Sequence, residues 1–322
     1  MGSQQQSLSG PETSKPRVPK RLHVYTLCFG SLALLSTFAG YEASRFGGVG
    51  WSSSGSVEAA TLPAPSLELV DPASIDWNHL APQDQARQLL DRAIQRDRRS
   101  IDLIAKNVDL WRGHLVDEGA LFNAVHNALN TDDLRVRAAA LEIDLAANNL
   151  SKTPETVAAL VKKLHDDPEN RPWTLWRLGA LGNRGVQSDL VFAQLRAYVH
   201  DSNEETRFWA VEGLAMLGTD ATINPLLDSF AHDRSARVRQ RAACNLAESG
   251  MLTREQRLAA VPQLMNFFDD DAMDPATRAW VYGALRTITG VQLGNEANAW
   301  RQWWAKRETT TKHRRRTAML YA

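Results

Sequence analysis

One unit recurs at short intervals through the second half of this chain. In each copy an apolar helical stretch ends at an aspartate, a second helical stretch carrying arginine or tryptophan follows, and the copy closes at glycine or asparagine. The steps between the aspartates are 34, 34, 32 and 38 residues, and the residues are Asp133, Asp167, Asp201, Asp233 and Asp271. This period is typical of stacked units, because one helix pair cannot bury its apolar faces alone. The chain is therefore predicted to be all-α, with an α-solenoid of stacked antiparallel helix pairs over residues 117–290.

Flanking helices are predicted to close both ends of the array. Residues 79–116 have apolar residues at helical spacing beside a dense charged face but lack the recurring aspartate, so we interpret them as an N-terminal capping region. Residues 291–308 are interpreted as a C-terminal capping helix. Its three tryptophans lie on one face, where they pack onto the last repeat or, alternatively, contact a membrane surface. Residues 309–322 form a basic tail, predicted to be frayed and solvated.

The N-terminal part of the chain contains a candidate membrane segment. Residues 22–41 are twenty residues without Asp, Glu, Lys or Arg, long enough as a helix to cross a hydrocarbon core of about 30 Å. Basic residues precede the segment and acidic residues follow it, which places the N-terminus in the cytoplasm. We therefore predict a disordered cytoplasmic tail (1–21), a transmembrane signal anchor (22–41) and a flexible linker (42–78). The repeats would then lie outside the cytoplasmic (inner) membrane, in the periplasm. A signal peptide cleaved near Ala39 is the alternative.

Composition and motifs give no indication of chemistry. Lys and Arg total 37 and Asp and Glu total 37, so there is no global basic field for nucleic acid. Two cysteines cannot form a disulfide framework. The sequence contains no phosphate-binding glycine loop, no Cys/His set with metal spacing and no serine elbow. We expect no cofactor, no metal and no enzymatic activity, although a catalytic site assembled from distant residues stays open.

Three histidines occupy equivalent places, each directly before an aspartate: His165, His200 and His232. Helix layers are about 8–10 Å apart, whereas metal ligands lie within about 2 Å of the ion, so the three cannot share one metal. We interpret them as helix-terminal residues next to capping aspartates.

Arginine follows two of the recurring aspartates at a fixed distance. Arg207 comes six residues after Asp201, and Arg239 comes six after Asp233. With this spacing, residues 117–308 resemble HEAT-repeat proteins, in particular the short bacterial HEAT-like repeats of phycobilisome lyases. The aspartates and arginines are interpreted as a structural polar stripe along the stack. An arginine-lined groove for an acidic partner is the alternative.

The resemblance implies protein binding, because helical repeat arrays of this kind mostly bind other proteins. We predict a membrane-anchored scaffold that holds a protein or peptide partner on the concave face formed by the second helices. The alternative is an enzyme or enzyme accessory similar to the phycobilin-lyase proteins. The residues predicted to contact the partner are Trp173, Arg177, Arg207, Glu212, Arg237 and Arg241.

Overall fold

A computed structural model describes residues 77–320 of the chain. The predicted cytoplasmic tail (1–21), signal anchor (22–41) and almost all of the linker (42–78) lie outside the described residues. Residues 77–320 belong to one compact unit, which consists of α-helices and short 3-10 turns. This confirms the all-α class for that part of the chain. None of its helices is both long enough and apolar enough to span a membrane.

The helices follow one another in antiparallel pairs. The first two pairs are α1 (Pro82–Ile94) with α2 (Arg98–Trp111), and α3 (Gly119–Leu129) with α4 (Leu134–Ala147). The next three are α5 (Pro154–Asp166) with α6 (Arg171–Asn183), α7 (Ser188–Tyr198) with α8 (Glu204–Leu217), and α9 (Ile223–His232) with α10 (Ala236–Ala247). Then come α11 (Arg254–Ala259), α12 (Val261–Asn266), α13 (Pro275–Thr289) and α14 (Ala297–Leu320).

Polar caps begin the second helices at the turns that the sequence marks. Asp133 begins α4 and accepts the N–H of Arg135 at 2.9 Å, and Asn203 begins α8 and accepts that of Thr206 at 3.1 Å. Such caps satisfy backbone donors that the first helical turn leaves unpaired. In the last pair the cap is Asp274, three residues after the predicted landmark.

The second helices α6, α8, α10 and α13 stack directly on one another, whereas the first helices of neighbouring pairs make no comparable contact. These second helices therefore form the inner side of the array, and we call α6, α8 and α10 the inner row. The tightest approach is between α6 and α8, where Gly179 lies against Gly213. A Cβ on Gly179 would be 2.8 Å from the carbonyl carbon of Gly213, so both positions require a residue without a side chain.

The stack is interrupted between α4 and α6. Helices α1 to α4 pack on one another around a core of their own, and α4 touches α6 only lightly. The predicted capping region (79–116) therefore forms one four-helix group with the first predicted repeat. The direct stacking of second helices therefore begins at α6, whereas the repeats are predicted from residue 117. The spacing along the sequence is the same on both sides of this junction, so it does not mark the change in contacts.

Helix α14 packs at the C-terminal end of the array. Trp300 is fully buried, and its indole N–H donates to the carbonyl of Gly294 at 2.9 Å. Arg301 binds the carboxylate of Asp269 at 2.7 Å, which ties α14 to the turn before α13. The helix continues to Leu320, so the residues from 309 to 320, predicted to be a frayed tail, are helical.

Candidate partner-binding surface

Ion pairs connect the turns of neighbouring repeats, and of the two described here one is buried and one is partly exposed. Arg207 binds both carboxylate oxygens of Asp233, at 2.8 and 3.0 Å, and donates to the carbonyl of Asp201 at 3.1 Å. The side chains of the pair are only 5% and 4% exposed. Arg239 repeats the arrangement one layer on, binding the carbonyl of Asp233 and the carboxylate of Asp274. Two layers therefore have the aspartate–arginine bonds expected of a structural polar stripe, and Arg207 lies inside the stack rather than on its surface.

The position of the recurring arginine is constant relative to the N-cap residue of the second helix, and not relative to the recurring aspartate. Measured from the cap, the pattern includes two arginines that the six-residue spacing from the aspartate did not identify. Four of the second helices have arginine four residues after their cap, and each of these arginines donates to carbonyls of its own turn. The caps are Asp133, Asn203, Ser235 and Asp274. The corresponding arginines are Arg137, Arg207, Arg239 and Arg278. The distance from landmark to cap varies between copies, so the six-residue rule found only two of the four.

Aromatic and charged side chains meet at the N-terminal ends of the inner row. The rings of Trp173 and Trp209 are 4.7 Å apart, and the indole N–H of Trp209 donates to Glu205 at 2.8 Å. Arg237 donates to the same carboxylate at 2.6 Å and lies 4.0 Å above the ring of Phe208. We call these five residues the aromatic cluster. It contains two of the predicted partner-binding residues, Trp173, which is half-buried, and Arg237, whose side chain is 38% exposed.

Three other predicted residues, Arg177, Glu212 and Arg241, face the chain's own N-terminal helices. Glu212 is buried and paired with Arg241, and His126 of α3 lies near both. The pKa of His126 is lowered, first by partial burial and then by Arg241, while Glu212 opposes the shift. Further along the inner row, Arg177 donates to the side chain of Asn148 at the end of α4.

Helix α4 crosses the inner row. At its N-terminal end Arg137 donates to the carbonyls of Gly250 and Glu248, just past α10, at 2.6 and 2.7 Å. At its C-terminal end Asn148 binds Arg177 of α6. The eleven helical steps from Arg137 to Asn148 cover about 16 Å. This is close to the distance from α6 to α10, which is two helix spacings of about 8–10 Å each. The helix therefore passes over α8, which is buried at every position from 206 to 217.

A cleft of about 460 Å³ opens beside α4. Glu142 lies at its wall and accepts from Lys152 at 2.8 Å and from Arg184 at 3.4 Å. Arg184 lies at the turn between α6 and α7. The ion pair between Glu142 and Arg184 therefore connects α4 to the repeats. The remaining lining residues are Pro154, Gly185, Val186 and Gln187.

The three histidines that precede aspartates are exposed and separate, as the spacing argument requires. His165 contacts the hydroxyl of Tyr198 at 3.4 Å, and His200 lies 4.0 Å from Asp228. Between residues 77 and 320, no group of three or more His, Cys, Asp or Glu side chains is placed to hold a metal ion.

These features define a helical-repeat protein of the solenoid type. The family model described as HEAT repeats matches residues 157–247, which run from within α5 to the end of α10. This segment is thus a run of HEAT repeats, a repeat type that generally serves as a protein-interaction scaffold. No curated protein matches the chain.

Proposed function

We propose that this protein is a membrane-anchored HEAT-repeat scaffold that holds a protein or peptide partner at the aromatic cluster. The observation that carries the proposal is the position of the cluster. It lies at the N-terminal ends of the inner helices, whereas α4 contacts the row further along, at Arg177 and at residues 248–250. Trp173, Glu205 and Arg237 are partly exposed there and accessible to a partner, beside the buried rings of Phe208 and Trp209.

The residue types in the cluster suit partner binding. Tryptophan and arginine contribute most to binding energy at protein interfaces, because they bury large areas and form hydrogen bonds at their polar ends. The contacts of Arg237 with Glu205 and Phe208 hold its side chain in place before a partner arrives. A pre-ordered side chain loses less entropy on binding. The matching partner presents an apolar side chain to Trp173, surrounded by polar groups of both signs.

The proposed location follows from the N-terminal sequence. The uncharged segment 22–41 and the charge asymmetry of its flanks support an anchor with the repeats outside the cytoplasmic membrane. The linker of the proposed arrangement, residues 42–78, would set how far from the bilayer a partner is reached. Within this proposal the protein is a binding protein and not an enzyme.

One crosslinking experiment tests both the location and the existence of a partner. Intact spheroplasts expressing the full chain are treated with a crosslinker that does not cross membranes, and the adducts are identified by mass spectrometry. We expect a protein crosslinked to the repeats without cell lysis. Adducts that form only after lysis would contradict the location, and the absence of any protein adduct in both conditions would contradict the scaffold function.

Capture of that partner by purified variants tests the cluster. Trp173→Ala and Arg237→Glu are each expected to reduce capture at least about tenfold, as truncations at interface hot spots do. Arg254→Glu is the matched control, because it makes the same charge reversal at an exposed residue of α11, outside the inner row. Equal capture by all variants would remove the cluster from the binding site.

A further inference from the structure

Helix α4 has two buried faces, although a terminal repeat needs only one. Val136 and Ile143 are among its residues that belong to the core shared with α1 to α3. Arg137, Leu141 and Leu145 are also buried but lie outside that core. Residues four apart occupy the same side of a helix, so these three form a second face. This face is directed to the inner row, since Arg137 binds the carbonyls at the end of α10.

The inner row contacts both ends of this second face through hydrogen bonds, in the way that a binding site contacts a ligand. The carbonyls of Glu248 and Gly250 follow the last turn of α10, where backbone acceptors lack helical partners, and Arg137 supplies charged donors to both. Two leucines fill the middle of the face, and Arg177 binds the side chain at the far end of the helix. The recognised pattern is an arginine followed by leucines four and eight residues later.

Three features make this contact exchangeable. The four N-terminal helices have their own core, so they need not unfold when they leave the inner row. At both ends of α4 the contacts with the repeats are hydrogen bonds and an ion pair, and polar contacts are typical of interfaces that permit relative motion. The connection between α4 and α5 is short and non-helical, and Asn149 within it adopts a positive φ of 53°.

We propose that the inner row is a helix-binding groove whose occupant in this structure is α4. A partner helix with the same arginine–leucine–leucine pattern displaces α4 together with α1 to α3. The mode of recognition is that of an amphipathic helix in a groove. The inference goes beyond the scaffold function, because it concerns the covered part of the inner row and not the aromatic cluster.

The test uses the full chain and a fluorescent peptide of residues 131–150, which contains α4. Arg137→Ala in the chain weakens the resident helix, so we expect the peptide to bind this variant about tenfold more tightly than the unaltered chain. Arg135→Ala is the matched control, because Arg135 is exposed on the same helix and pairs with nearby Asp133. The peptide carrying the Arg137→Ala change is expected to bind none of the chains.

A second variant distinguishes displacement of α4 from a folding defect caused by Arg137→Ala. Arg177→Ala loosens the other end of α4 and removes no contact of Arg137, so it is expected to show the same direction of change with native helical content by circular dichroism. Equal affinity of the peptide for the unaltered, Arg137→Ala and Arg135→Ala chains would overturn the inference, as would no binding to any chain. Because the probe is a peptide of this chain, either result leaves the proposed function at the aromatic cluster untouched.

Discussion

At the scale of single residues, the arginine four positions after the cap, present in four of the second helices, holds its own turn together. In two layers it joins the carbonyls of one turn to the carboxylate of the next, as Arg207 does with Asp233. The pair is buried, so each charge depends on the other for compensation. This explains why an arginine that recurs in a repeat protein need not contact a partner.

Arg207→Ala is expected to lower the free energy of unfolding by about 3–5 kcal/mol, because it leaves the carboxylate of Asp233 buried without its cation. Urea denaturation followed by circular dichroism measures the loss. Arg135→Ala breaks an exposed pair with Asp133 and is expected to cost no more than about 1 kcal/mol. Similar losses in the two variants would show that burial of the Arg207 pair has little weight.

Acid should weaken the cap of α13. Asp274 accepts the hydroxyl of Thr277, two backbone N–H groups and Arg239, and these bonds hold the pKa of its carboxyl below the usual value. A carboxyl with a lowered folded pKa stabilises the protein above its unfolded pKa, and that stability is lost as the pH falls through the folded value. From pH 5 to pH 3, roughly bracketing the ordinary Asp pKa, the thermal midpoint of the unaltered protein should fall more than that of Asp274→Asn. Parallel curves would contradict this.

At the scale of elements, the contact between α6 and α8 depends on two glycines. Gly179→Ala places a methyl group against the backbone of Gly213, so the helices must move apart. Overpacking of this kind costs about 1–3 kcal/mol, and thermal unfolding should show a lower midpoint. Gly294→Ala is the control, since nothing lies within 4 Å of its added carbon. An unchanged midpoint in the first variant would mean that the helices separate easily.

The helix pairs were predictable, and the break between α4 and α6 was not. Apolar spacing and capping residues act within a few residues, so they mark where each helix begins and ends. The step from Asp133 to Asp167 is 34 residues, the same as the step from Asp167 to Asp201 inside the stack. Period alone reports that units exist, whereas the orientation of a unit depends on side chains that meet only in the folded chain.

At the scale of the whole molecule, the same limit applies to the candidate site. The sequence identified tryptophans and arginines on the second helices, and Trp173 and Arg237 do lie together at the aromatic cluster. It did not show that Glu212 and Arg241 face the N-terminal helices. That result depends on contacts such as Arg137 with Gly250, which are 113 residues apart in sequence. No local pattern links such distant positions.

The crossing of α4 also has a mechanical consequence. In a solenoid each repeat contacts only its neighbours. Small changes in the packing of successive repeats therefore add up when the array is extended. Here one helix is fastened to α6 at one end and to the end of α10 at the other. While both contacts hold, we expect the three helix pairs that match HEAT repeats to resist extension, and we expect the array to lengthen first at the junction between α10 and α13.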